Sequence, residues 1–150
     1  MAPTRKATKA GARPIKRVAK AESKRATKRM GTPLDRLREI CLALPEAHET
    51  EAWAEPTFRV CNKMFAMHAS ASTHHGAGRE AVWIKSDHVT QDLLLRAKPK
   101  QYFSPAYVGP SGWVGAWLDG RPNWSEIADL LREGYRARAP KRLASRLSST

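Results

Sequence analysis

The chain has 150 residues, with 27 Lys+Arg against 14 Asp+Glu, which gives a formal net charge of +13. No stretch approaches the ~20 apolar residues that cross a bilayer, which argues against a membrane protein. No apolar run follows the basic start, which argues against a secretory signal. The two cysteines, Cys41 and Cys61, lack zinc-type spacing and are expected to be buried free thiols.

The positive charge is concentrated in residues 1–30, which carry 11 basic residues and one acid, Glu22. This segment has no aromatic residue and too little apolar surface to offset the entropy of ordering, so we predict a disordered tail. A polycation displaces counterions from a polyanion, which favours nucleic acid as the partner. A solubilising tail and an organelle transit peptide are the alternatives. The basic residues are Arg5, Lys6, Lys9, Arg13, Lys16, Arg17, Lys20, Lys24, Arg25, Lys28 and Arg29.

The other 120 residues carry 16 basic and 13 acidic side chains and so are close to neutral. We predict a disordered tail over residues 1–31, one domain over residues 32–143 and a short C-terminal tail over residues 144–150. The domain opens with a helix, because Thr32 is a good N-cap and Pro33 suits the first helical position. Apolar residues then recur at helical spacing until Pro45.

Residues 46–56 are acidic and irregular. We interpret them as a solvated loop, because their spacing matches no cation-binding loop. A β-hairpin is predicted over residues 57–68, with Asn62 and Lys63 as its turn. Residues 69–79 predict a mobile polar loop. Its adjacent His74 and His75 can chelate a metal, but the other ligands of a zinc site are lacking.

A third strand is predicted over residues 80–86, followed by a helix that Asp87 caps and that ends near Pro99. The rest of the predicted fold is organised around residues 105–120. A Gly-Pro-Ser-Gly turn lies in this stretch, between the predicted fourth strand (102–108) and fifth strand (113–119). Asn123 caps the last helix, with Glu126 at capping-box spacing. The order of elements predicts an α+β fold, an antiparallel sheet of about five strands covered by helices.

Alternation places Trp113, Gly115 and Trp117 on one face of the fifth strand. Two interpretations stay open for the tryptophans. They stack on or wedge into a nucleic acid, or they pack under a helix whose side chain fits over Gly115.

The chain resembles the MmcQ/YjbR family over roughly residues 32–143. The motifs that carry the resemblance are PTFRV (56–60), KMFAM (63–67), AVWIK (81–85), PAYVG (105–109), GWVG (112–115), LDG (118–120) and APKRL (139–143). The resemblance implies the CyaY-like fold of bacterial frataxins, an antiparallel sheet backed by helices. It also implies DNA binding through paired hairpins, the "double wing", and it supplies no catalytic residues.

The main functional hypothesis is sequence-tolerant, phosphate-directed DNA binding by a non-enzymatic protein. The tail supplies most of the attraction, and Arg59, Lys63 and Lys85 add contacts on the domain, with Arg79 and Arg121 as further candidates. The alternative is a module that binds a small molecule or a protein, with a face formed by Tyr107, Trp113 and Trp117. A deep pocket lined by Lys85, Tyr107 and Trp113 would favour this alternative, and a flat basic face would favour nucleic acid.

Frataxin-like iron handling is disfavoured, because Asp35 and Glu39 on the first helix are offset by Arg36 and Arg38. Catalysis has weak support, since Cys61, His68 and Asp119 form no local nucleophile motif. We expect no cofactor, no bound metal, no membrane contact and a monomer. The expected location is cytoplasmic, and nucleoid-associated if the source is bacterial.

Overall fold

The computed structural model describes residues 31–148. The basic tail residues 1–30 lie outside the described residues. Four α-helices and six β-strands form within residues 31–148. The helices are α1 (Pro33–Leu42), α2 (His88–Ala97), α3 (Trp124–Arg138) and α4 (Lys141–Ser148). The strands are β1 (Ala47–Ala52), β2 (Glu55–Val60), β3 (Lys63–Ala69), β4 (Ala81–Ile84), β5 (Tyr102–Phe103) and β6 (Val114–Trp117).

The strands form one antiparallel sheet in the order β1-β2-β3-β4-β6-β5. The predicted α+β class and antiparallel sheet are confirmed. The sheet has one strand more than predicted, because β1 lies in the segment that the sequence indicated to be an irregular acidic loop. An edge strand with polar side chains on both faces lacks the alternating apolar pattern from which strands are predicted.

Helix α3 covers one face of the sheet and packs mainly against β3. Its buried stripe is Ile127, Leu131, Gly134 and Tyr135, and the ring of Tyr135 meets that of Phe65 edge-to-face at 5.7 Å between centroids. A second buried cluster contains Met67, Ala69, Ala81, Trp83 and Trp113. The register pairs Met67 with Trp83 and Ala69 with Ala81, so each pair shares a face of the sheet.

The predicted turn of the β2–β3 hairpin is shifted by one residue. The β2–β3 turn is formed by Cys61 and Asn62, one residue earlier than predicted, and both have positive φ (49° and 64°) as type I′ turns require. Cys61 is therefore exposed rather than buried. Cys41 is buried as expected, and burial raises the pKa of its thiol.

The predicted strand over residues 102–108 ends at Phe103. The chain then forms a loop with a 3-10 turn at Gly109–Ser111 before β6. Aromatic and β-branched residues in that loop produced the strand prediction. The hydrogen bonds are local instead, with the N–H of Gly109 donating to the carbonyl of Pro105 and that of Gly112 to Gly109.

The helix caps predicted at Asp87 and Asn123 are present. The Asp87 side chain accepts from the Thr90 N–H, and the Asn123 side chain accepts from the Glu126 N–H. The Glu126 carboxylate does not close a capping box. It accepts hydrogen bonds from the Tyr102 hydroxyl and the Lys98 ammonium. These bonds lower the pKa of Glu126, and the bond from Tyr102 has the larger effect.

Two helices depart from the sequence interpretation. The predicted apolar stripe of α2 is not buried, since Val89 and Leu93 are 70% and 61% exposed. Residues up to Ser148, assigned to a C-terminal tail, continue in α4, whose Leu143 is fully buried. None of the helices within residues 31–148 is long and apolar enough to cross a bilayer.

Replacing Gly134 by Ala is expected to lower the free energy of unfolding. The added Cβ would lie 2.8 Å from the Lys85 carbonyl oxygen and 3.3 Å from that of Phe65, so α3 would have to move away from the sheet. Overpacking costs about 1–3 kcal/mol, and the better helix propensity of Ala returns at most ~1 kcal/mol.

Urea unfolding measures the change in the free energy of unfolding. Glu133→Ala, at an exposed position of the same helix, is the control and should stay within about 0.5 kcal/mol. An unchanged midpoint for Gly134→Ala would contradict this packing.

Candidate functional site: an aromatic pocket

A β-bulge in β3 determines which side chains face the pocket. The register pairs Phe58 with Ala66 but Arg59 with Met64, so Phe65 is an extra residue opposite the β2 backbone. Regular alternation would place Met64 and Met67 on opposite faces of the sheet. The bulge brings both to one cavity, while Phe65 packs against α3.

The cavity has a volume of about 420 Å³, within the range of small-molecule sites. Trp83 and Met67 are nearly buried, at 3% and 2% exposure, and form its deepest part. None of the described lining residues is Lys, Arg, Asp or Glu. The lining is Trp53, Met64, Met67, His74, His75, Trp83, Tyr107 and Val108.

Two exposed aromatic residues of this lining have unusual backbone conformations. Trp53 is 63% exposed and Tyr107 is 76% exposed. Their φ angles are 54° and 67°, in the left-handed region that bulky side chains rarely adopt. Trp53 lies in the β1–β2 turn, where Trp53 and Ala54 both have positive φ, as Cys61 and Asn62 do in the β2–β3 turn. Tyr107 lies in the loop after β5. Two largely exposed aromatic residues therefore line the same cavity.

The loop of residues 70–79 contributes His74 and His75 to the cavity, and it is held by Glu55. The Glu55 side chain is fully buried. Its Oε2 accepts from the backbone N–H of Ser70 at 2.9 Å and from the hydroxyl of Thr73. The loop is also tightly closed at Gly76, where a Cβ would lie 2.2 Å from the Ser70 carbonyl oxygen.

These contacts change the interpretation of the histidine pair. His75 has a side chain only 6% exposed, with Nδ1 3.5 Å from Glu55 Oε2, and its ring meets Trp83 edge-on at 5.5 Å between centroids. The ring of His74 lies against that of His75 at 4.0 Å. The prediction of a polar loop tip is therefore wrong for His75, which is part of a packed wall.

A chain of polar groups continues from His75 into the protein. His68 Nδ1 lies 3.8 Å from Glu55 Oε1, and His68 Nε2 lies 2.7 Å from Glu80 Oε2. Within residues 31–148, the buried side-chain atoms that lack a hydrogen-bond partner are Glu55 Oε1, His68 Nδ1, His75 Nδ1 and Trp83 Nε1.

All four unpartnered atoms belong to this one connected cluster. Buried polar groups are normally satisfied, and exceptions are often found at functional sites. In the described part of the chain, no group of three His, Cys, Asp or Glu side chains is arranged to hold a metal ion. The cluster is therefore best treated as the polar end of an otherwise apolar pocket.

The structure separates the predicted cationic residues from this pocket. Arg59, Lys63 and Lys85 lie at the same end of β2, β3 and β4. Lys63 is exposed, Arg59 donates to the Thr57 hydroxyl at 3.2 Å, and Lys85 donates to the Ser86 carbonyl at 3.1 Å. Lys85 borders a different depression, beside Asp87 and Glu133.

Of the predicted aromatic face, only Tyr107 lines the cavity. Trp113 is 3% exposed and belongs to the buried cluster. Trp117 stacks on Phe103 at 4.0 Å, with the Arg79 guanidinium 3.9 Å from its ring centre. The space at Gly115 is filled by the Phe103 ring rather than by a helix side chain, because a Cβ there would lie 2.3 Å from that ring.

Arg79 and Arg121, the other candidate cations, lie beside one small depression near Trp117. Arg79 forms a two-bond ion pair with Asp119, at 2.8 and 2.9 Å. That pairing lowers the pKa of Asp119. Arg121 is exposed.

The sequence interpretation missed Trp53 and Glu55 as site residues, and it assigned His75 no role. The signal for His75 was the His-His dipeptide, and the signal for Glu55 was a carboxylate directly before the apolar run of β2. The contacts of Glu55 with Ser70 and Thr73 span 15 and 18 residues, and no local pattern encodes them.

A family model for YjbR matches residues 42–137, which is more than half of the chain. The chain belongs to the YjbR family. No curated protein matches it. The crystal structure of Deinococcus radiodurans protein DR2400, with the family-model domain DUF419, is similar to this YjbR chain with a TM-score of 0.62 and 22% identity. The similarity covers 77% of this chain and 87% of that chain, and at this identity it shows a shared fold.

Replacing Glu55 by Ala in this YjbR protein should release the loop that carries His75. The Ser70 N–H and Thr73 hydroxyl would lose their acceptor, at a cost of about 2–3 kcal/mol. Hydrogen exchange at the Ser70 amide and thermal unfolding measure the effect. Glu51→Ala, an exposed carboxylate on β1, is the matched control and should leave both unchanged. Equal protection of Ser70 in the Glu55→Ala variant and the natural protein would contradict the anchoring role.

Proposed function

We propose that this protein binds a flat aromatic small molecule in the pocket between Trp53 and Tyr107. The observation that carries the proposal is that two large, mostly exposed aromatic rings line one cavity whose lining holds no Lys, Arg, Asp or Glu. Burying a ring of this size against a ligand returns roughly 1.5–3 kcal/mol.

The composition of the lining supports an uncharged ligand. Trp, Tyr and His rings stack on flat molecules, and Met64 and Met67 offer adaptable thioether contacts. A charged ligand would lose hydration without gaining an ion pair from the lining. The anionic ligand suggested by Lys85 is therefore disfavoured, because that lysine borders another depression.

The pocket is tested with 1-methylindole and 3-methylindole, two uncharged, flat aromatic isomers. We expect binding in saturation-transfer NMR, with Tyr107→Ala and Trp53→Ala each weakening affinity about tenfold or more, because each removes a stacking face. Leu93→Ala removes an equally exposed apolar side chain from α2, outside the cavity, and should bind as the natural protein does. Failure of both isomers to bind, or equal reductions in all three variants, would refute the pocket.

A second candidate function is phosphate-directed binding of nucleic acid, and one observation favours it. Residues 1–30 carry 11 of the 27 basic residues and only one of the 14 acids, so most of the net positive charge lies in one segment. Lys63 is an exposed cation on the hairpin that would add a phosphate contact. The two functions are compatible, because they use different parts of the chain.

The tail's role is tested by replacing its 11 Lys and Arg residues with Gln in the full-length chain. Affinity for double-stranded DNA should fall, and the slope of log affinity against log salt should flatten by about 0.9 for each phosphate that the tail no longer neutralises. Exchanging the tail lysines for arginines keeps the charge and should keep both quantities. An unaltered slope after neutralisation would eliminate the tail as the DNA-binding segment.

A further inference from the structure

We propose that the pocket selects its ligand by a hydrogen bond that the ligand donates to Nε2 of His75. The ligand class is an uncharged aromatic or heteroaromatic molecule with an N–H or O–H at its edge, as in indoles and phenols. This inference rests on the proposed aromatic-ligand function and adds the polar feature that the ligand must carry.

The tautomer of His75 is set by its carboxylate neighbour. A neutral imidazole has one donor nitrogen and one acceptor nitrogen. His75 Nδ1 lies 3.5 Å from Glu55 Oε2, although no hydrogen bond joins the two atoms in this geometry. A carboxylate oxygen can only accept, so its nearness favours the tautomer with the proton on Nδ1, which leaves Nε2 as the acceptor.

Glu55 Oε2 is engaged by two donors of the loop. It receives the Ser70 N–H and the Thr73 hydroxyl. Its Oε1 faces His68 Nδ1 at 3.8 Å, and the other nitrogen of His68 is bonded to Glu80. The carboxylate is thus held through Oε2, and its Oε1 makes no hydrogen bond.

The second nitrogen of His75 is available to a ligand. The His75 ring lines the cavity, and its Nε2 makes no hydrogen bond with any of residues 31–148. The other polar groups of the lining are the His74 ring, the Tyr107 hydroxyl and the indole N–H groups of Trp53 and Trp83. An indole N–H is a donor only, so it does not compete with Nε2 for a donor on the ligand. A ligand that stacks in the cavity with its N–H or O–H beside His75 would donate a hydrogen bond to Nε2. The ligand's donor would then need no water molecule as its partner.

The experiment compares 3-methylindole with 1-methylindole, isomers of equal volume that differ in whether the ring N–H is available. The natural full-length protein should bind 3-methylindole about five- to tenfold more tightly, the ratio expected for one net hydrogen bond. Calorimetry or saturation-transfer NMR gives the ratio. If both isomers bind equally, or 1-methylindole binds more tightly, the pocket function stands and the hydrogen-bond inference is overturned. If neither isomer binds, the proposed pocket function and the hydrogen-bond inference are both refuted.

Two variants locate the effect. His75→Phe keeps an aromatic ring but removes Nε2, so the ratio of the two affinities should fall to about one. His48→Phe, the same substitution on β1 outside the cavity lining, is the control and should retain the preference. A preference that persists in His75→Phe would overturn the assignment to His75.

A measurement on the natural protein tests the tautomer and needs no substitution. Long-range proton–nitrogen correlation spectra of the imidazoles should show His75 with its proton on Nδ1, and the Nε2 resonance should shift when 3-methylindole is added. A proton on Nε2 in the free protein would refute the inference directly.

Discussion

The buried carboxylate of Glu55 is the interaction on which the site depends. It is fully buried at the start of β2, and its hydrogen bonds with Ser70 and Thr73 hold the loop that carries His75. A buried acceptor of this kind is costly unless donors satisfy it. Ser70 and Thr73 supply donors to its Oε2, so the carboxylate receives these hydrogen bonds only when the loop is folded. The same loop carries His75, which forms a wall of the pocket.

The two faces of the sheet have different coverings, and the difference explains where a pocket can form. Helix α3 lies close to one face because Gly134 allows contact with the backbone of Lys85 and Phe65. The other face carries Trp83 and Met67, and loops rather than a helix lie beside them. Loops pack less completely than a helix stripe, and a cavity of about 420 Å³ remains between the aromatic side chains.

The sequence predicted the elements with strong local signals. The caps at Asp87 and Asn123, the stripe of α3 and the antiparallel α+β class could all be derived from spacing and residue type, and the family resemblance is confirmed. The sequence did not predict β1, because a polar edge strand has no apolar alternation. It also did not predict that His75 would meet Glu55, because that contact depends on the closure of a loop and not on any period of the chain.

The bulge at Phe65 illustrates the same limit. Alternation assigns each residue of β3 to a face, and one inserted residue reverses the assignment for part of the strand. The register places Met64 and Met67 on one side only because Phe65 is extra. Alternation in the sequence does not encode a bulge. The shared face of Met64 and Met67, which forms the apolar floor of the pocket, therefore could not be predicted before the strand pairing was known.

The two outermost strands also affect how the protein behaves at high concentration. Strand β5 has only two residues, which gives an incoming chain little backbone to pair with. Strand β1 carries Glu49 and Glu51 along the opposite border, and a second copy aligned there would bring like charges together. Both borders therefore oppose the strand-by-strand growth that leads to aggregates, and crowding should leave the sheet unextended.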